Sequence, residues 1–119
     1  MNIKRLLDCP EFIAGDGTNL RELFHASKGD FKFRYSLARA VVKEGRVSKP
    51  HRLKTSEVYH IIEGRGRMHI GKESSKVGPG DSIYIPPHSI QYIENIGHGD
   101  LVFLCIVDPA WRAEDEEMV

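Results

Sequence analysis

From residue 31 onward the sequence is a series of short apolar-rich runs, each cut off by glycine or proline, and this punctuation leaves no room for long helices. The runs read as strands at Phe31–Val42, Lys49–Lys54, Glu57–Ile62 and Gly64–Ile70, followed by Ser75–Val77, Asp81–Ile85, Ile90–Glu94 and Leu101–Val107. Turns are marked by Lys43-Glu44-Gly45, Gly71-Lys72-Glu73, Pro79-Gly80, Pro86-Pro87 and Gly97–Gly99. β-Branched and aromatic side chains fill the runs, and such residues suit a pleated, half-buried surface. Short strands at this spacing predict an all-β sandwich or barrel. Helical periodicity is confined to Thr18–His25, where Leu20, Leu23 and Phe24 could share a face behind a cap at Asp16 or Thr18. An extended arm followed by a turn is the alternative for that segment.

Several strands are apolar on both parities: Val58 and Ile62 alternate with Tyr59 and Ile61, and Val102 and Leu104 with Phe103 and Cys105. A strand with one wet face should alternate apolar with polar. A second subunit is therefore expected to cover part of the barrel, giving a homodimer. A chain of 119 residues suits one domain. Its expected parts are an N-terminal arm (1–30, a short helix or strand), a β-barrel (31–108) and an acidic tail (109–119).

The 17 Lys and Arg residues balance 17 Asp and Glu residues. With no basic excess to release counterions, binding to nucleic acid or to an anionic membrane is not expected. No apolar run approaches the ~20 residues needed to span a bilayer, and no signal-peptide pattern opens the chain, so a cytoplasmic location is expected. Cys9 and Cys105 read as free thiols, and without a CxxC a thiolate zinc site is excluded.

The chemistry concentrates in two glycine-bounded segments, Gly45-RVSKP-His51-R-Leu53-KTS-Glu57-VYHIIE-Gly64 and Gly80-DSIYI-Pro86-P-His88-SI-Gln91-YIE-Asn95. These resemble the two motifs of the cupin superfamily. Gly45, His51, Glu57 and Gly64 stand at the intervals of the first motif, and Gly80, Pro86 and Asn95 at those of the second. The short stretch between them, Arg65–Pro79, resembles that of small single-domain microbial cupins. The resemblance implies a cupin-type jelly-roll β-barrel. It also implies a metal site, since family ligands are usually two His and a Glu from the first motif and a His from the second. Those positions hold His51, Leu53, Glu57 and Gln91 here, and His88 stands where the second motif has glycine.

Strand geometry alone puts His51 and Leu53 on one face, because side chains alternate with period two. A turn over Lys54–Ser56 would return the chain antiparallel and let Glu57 face the same interior. One imidazole, one carboxylate and one amide oxygen form an open set suited to Mn, Fe(II), Ni or Zn, with water completing the shell. His51, Glu57 and Gln91 are therefore the expected ligands of a divalent transition metal. Without a metal, His51 and Glu57 form a candidate acid–base pair, and Gln91 reads equally as an interior amide bonded to its neighbours.

Leu53 removes one ligand and makes the pocket more apolar. Cys105, Tyr59 and Arg39 are the expected contacts to a small organic ligand. Arg39 would serve either as an anchor for a carboxylate or phosphate or as a rim residue with its stem packed. His88 and His98 are expected in loops, His60 facing outward, His69 on a surface strand and His25 over a barrel mouth. Trp111 is expected to pack the tail, and the EDEE run to be solvated. The expected function is to bind a divalent transition metal and a small organic ligand in the barrel interior, with metal-dependent oxygenation or isomerisation as candidate reactions. The alternatives are a metal-free, sugar-like binding module and a metal-free lyase or epimerase built on the His–Glu pair.

Overall fold

The computed structural model describes residues 1–119. The strands are β1 (Glu11–Ile13), β2 (Asn19–His25), β3 (Ser36–Val42), β4 (His51–Leu53), β5 (Ser56–Glu63) and β6 (Gly66–Ile70). They continue as β7 (Glu73–Val77), β8 (Ser82–Ile85), β9 (Gln91–Asn95), β10 (Leu101–Asp108) and β11 (Glu116–Met118). Single 3-10 turns lie at Leu6–Asp8 and Ala113–Asp115. Two antiparallel sheets result, one of six strands in the order β1-β2-β3-β10-β5-β8 and one of five in the order β11-β4-β9-β6-β7. This is an all-β sandwich, as the strand punctuation predicts, in the jelly-roll arrangement that the cupin resemblance implies. No helix is long and apolar enough to cross a membrane.

The space between the sheets is filled unevenly. At one end Val42, Ile61, Leu101 and Phe103 of the larger sheet meet Met68 and Ile93 of the smaller one, and all are buried. Tyr59 packs on Phe103 with ring centroids 4.4 Å apart. At the other end the same inward rows run out into Ser36, Ala38, Cys105 and Val107, too small to reach the facing sheet, and a chamber is left there. The core thus sits beside the site rather than around it.

Three stretches differ from the sequence reading. Residues 19–25 form β2, the extended alternative and not the helix. With β1 this strand extends the six-stranded sheet beyond β3, and six ladder pairs with β3 are worth more than two isolated helical turns, which are marginal in water. The run 31–42 is a strand only from Ser36. Ahead of it Phe31, Phe33 and Tyr35 stack on one another at 5.0 and 4.5 Å, so their shared parity serves an aromatic ladder. The acidic tail is not simply solvated: Glu116–Met118 pair with β4, and Asp115 is buried with its carboxylate bound by Arg112 at 2.9 Å.

Gly64 closes the turn between β5 and β6 with φ of 87°, and a Cβ there would collide with the Asp100 carbonyl oxygen. Left-handed backbone and backbone overlap act together at this position. Gly64→Ala is expected to lower stability by at least about 2 kcal/mol in urea denaturation. The same change at Gly45, where a Cβ would meet nothing, is expected to cost only the left-handed penalty of roughly 1 kcal/mol.

Candidate functional site

The chamber has a volume of about 190 Å³, room for about six waters at their share of the liquid. Its inner wall is formed by Asp16, Ser36, His51, Leu53, Glu57, Tyr59 and Cys105, all buried, while the exposed Phe12, Lys28 and Trp111 mark the mouth. The motif residues converge, by a different route from the one the turn at Lys54–Ser56 suggests. β4 and β5 belong to opposite sheets, so His51 and Glu57 face each other across the sandwich instead of standing side by side. Gln91 is the direct ladder partner of His51 and reaches Glu57 from the smaller sheet.

His51 is 3% exposed, and its Nδ1–H donates to the Lys49 carbonyl at 2.8 Å. A carbonyl can only accept, so in the neutral ring the Nε2 lone pair is left free. That nitrogen makes no hydrogen bond within the chain; the Asp16 Oδ2 lies 3.9 Å away. Asp16 is fixed by its own turn. Its Oδ1 accepts from the Thr18 amide at 3.1 Å and the Thr18 hydroxyl at 2.8 Å, and its carbonyl accepts from the Lys49 amide at 2.7 Å. Asp and Gly favour such turns because the side chain can replace a backbone acceptor while Gly takes positive φ. Glu116 enters from β11, opposite Leu53 in the ladder, and its carboxylate lies over Gly15.

Glu57 is buried, and its Oε1 accepts from the Gln91 amide nitrogen at 2.8 Å. Burial pushes its carboxyl up to about 8, with the charges of Asp16 and Glu116 adding to the rise and the Gln91 hydrogen bond opposing it. Glu57 therefore carries a proton at neutral pH. Burial also lifts Glu116 above the usual carboxylate range, and it raises the Tyr59 phenol and the Cys105 thiol. Cys105 is therefore a neutral wall residue and not a thiolate nucleophile.

The three expected metal donors do not fit a metal set as they stand. Gln91 turns its nitrogen, not its oxygen, toward Glu57, and its buried Oε1 has no partner. No group of three or more His, Cys, Asp or Glu side chains converges at metal-holding distance. Leu53 fills a further donor position with hydrocarbon, as the sequence indicates.

Tyr59 and Cys105 line the chamber as expected, but Arg39 does not. Ser36, Ala38 and Ala40 take the inward parity of β3, which leaves Arg39 on the outer face between Arg21 and Leu104. His60 bonds Ser82 on that same outer face, His69 bonds Glu94, and His88 is exposed in its loop with φ of 68°. That positive φ is the reason a glycine suits the position. His25 does not line the chamber. It accepts from the Ser27 amide through Nδ1, so its Nε2–H donates to the Trp111 carbonyl at 2.7 Å and secures the tail at the mouth. The motifs give no sign of Asp16, Glu116 or Trp111; the only signals were an Asp-Gly turn and an acidic run, both common on surfaces.

Glu57 generates a pH dependence of stability. It ionises near 4.3 in the unfolded chain and near 8 in the folded one, so the folded state holds the extra proton between these values. Stability should therefore fall as pH rises from about 5 to about 8, by at most roughly 1.4 kcal/mol per unit. Glu57→Gln is expected to flatten that slope in urea denaturation across the pH series; a wild-type profile that rises through the window would contradict the burial argument.

The comparisons agree with this architecture. A cupin-domain family model matches residues 38–107, the span from β3 to β10. An uncharacterized protein of Methanocaldococcus jannaschii is 42% identical over 111 residues, 91% of this chain and 86% of that one. A Streptomyces nucleoside dehydratase, solved also with uridine, superposes with a TM-score of 0.77 at 20% identity over 100% of this chain and 92% of that one. Oxalate decarboxylase from Bacillus subtilis gives 0.81 at 24% identity over 97% of this chain and 31% of that one. The two structures, at such identities, are alike in fold. Strand order, motif spacing and the family match together place this chain in the cupin family.

Proposed function

We propose that the chamber binds a small organic molecule and that His51 and Glu57 move protons on it without a metal ion, in a lyase- or epimerase-type reaction. The observation that carries this reading is the unpartnered Nε2 of the buried His51, open to a chamber whose opposite wall presents the Glu57 carboxyl. A base with a free lone pair facing a protonated carboxyl is the division of roles that acid–base chemistry needs at neutral pH. Tyr59 adds a hydroxyl that stays protonated, and Leu53 keeps the wall beside His51 dry. The likeness in fold to a nucleoside dehydratase is compatible, since loss of water from a nucleoside needs both a base and an acid.

A second reading, a divalent metal held by His51, Glu57 and Gln91, has one observation in its favour: the buried Gln91 Oε1 is without a partner and could serve as a donor after an amide flip. Elemental analysis of the wild type and His51→Ala separates the two readings. In parallel, a panel of neutral nucleosides and sugars is screened by NMR in D2O for exchange or loss of carbon-bound protons. Acid–base chemistry predicts turnover that survives a chelator and drops by about 10²-fold or more in His51→Asn and in Glu57→Gln. Stoichiometric metal in the wild type only, with turnover abolished by chelation, would establish the metal reading instead.

We also propose that a second copy of this chain covers the outer face of the six-stranded sheet. Leu37, Ile106, Val58 and Tyr84 stand in one register row across β3, β10, β5 and β8, with Tyr84 61% and Ile106 36% exposed. A continuous apolar row of this kind suits an isologous contact. Light scattering is expected to give twice the 13.5 kDa chain mass, and Ile106→Glu to give the monomer.

A further inference from the structure

The charges around the chamber are strongly one-sided. Asp16 and Glu116 line it and Glu22 stands at its mouth, beside a Glu57 carboxyl that burial keeps protonated, whereas the one lysine or arginine is Lys28. Lys28 is already committed: its Nζ bonds the Glu22 Oε1 at 2.8 Å, on the exposed side of the opening. Arg39, the one cation that the strand pattern suggested for an anionic ligand, lies on the outer face of β3. An anion entering this space would meet carboxylates with no guanidinium or ammonium to compensate them, and a charge taken out of water without a partner is strongly disfavoured.

From this we infer that the chamber selects small molecules that lack an anionic group and that present hydrogen-bond donors, hydroxyl or ammonium, to Asp16 and Glu116. The buried His51 offers an unpartnered acceptor on the same wall, so a ligand with several donors would satisfy Nε2 and the Asp16 Oδ2 together. Asp16 Oδ1 is taken by Thr18, which leaves Oδ2 as the oxygen free for a ligand. The apolar parts of such a molecule would lie along Leu20, Ala38, Leu53 and Val107. Carboxylic acids and phosphate esters are excluded as substrates on this basis, including dicarboxylates of the kind an oxalate decarboxylase acts on.

This assignment deepens the proposed function and rests on the chamber being a ligand site; the experiment separates the two. Benzylamine, benzyl alcohol and benzoate share one ring and differ only in the charge of the head group. Each is titrated at pH 7 into the intact protein, and 1H–15N shifts of the lining residues are followed. Benzoate is expected to bind weakest, at least about tenfold below benzylamine. Glu116→Gln, which leaves the Asp16–Thr18 contacts in place, is expected to narrow that ratio, and Asp16→Asn with Glu116→Gln to narrow it further. Benzoate binding as tightly as benzylamine, with shifts at the chamber, would overturn the charge selection and leave the ligand site standing. If none of the three moves a lining resonance, the ligand-site reading fails and takes this inference with it.

Discussion

Facing sheets stand ~10 Å apart, and that gap is occupied only where the inward side chains are long enough to meet. In this chain the inward rows of β3, β5 and β10 change size along their length. Phe103, Ile61 and Leu101 interlock with Ile93 and Met68 at one end, while Ser36, Ala38 and Cys105 stop short at the other. The hydrophobic contacts at the filled end hold the sheets at a fixed separation, so the open end cannot collapse. The chamber is the far side of the same packing that stabilises the fold.

The polar groups at the open end are buried under that constraint. Glu57 is enclosed and keeps a proton because ionising it next to Asp16 and Glu116 would place like charges in a poorly solvated space. His51 is oriented by a backbone carbonyl, which leaves its other nitrogen directed to the interior. Gln91 links the two sheets through its contact with Glu57. Rigid backbone and unspent polar atoms are thus combined at one place, which is the condition for binding without reorganisation.

Much of this was legible in the sequence. The strands from His51 to Val107 follow the glycine and proline punctuation closely, because turns require those residues for backbone reasons. Motif spacing brought His51, Glu57 and Gln91 together, and Tyr59 and Cys105, expected as ligand contacts, do line the chamber. The route was misread: a turn over Lys54–Ser56 does not reveal that β4 and β5 join different sheets, since chain reversal and sheet membership are separate facts. Arg39 was ambiguous because β3 is flanked by apolar residues on both parities, and only the ladder register decides which face is inner. Asp16 was legible only as a local cap or turn residue, and neither it nor Glu116 could be placed at the chamber, because what docks each there is a partner distant in sequence, Lys49 in one case and Leu53 in the other.

Those two acids come from opposite ends of the polypeptide, and both lean on β4 or the residues just ahead of it. The β1–β2 loop is tied to Lys49, and the last residues are tied to β4 and to the Pro50 carbonyl. Neither extremity adds a side chain to the tightly packed cluster. The acids that set the chamber's charge preference consequently stand outside the residues that hold the fold together. Drift near the chain's beginning and its end can remodel what the hollow accepts while the interlocked middle, which holds the architecture together, goes unchanged.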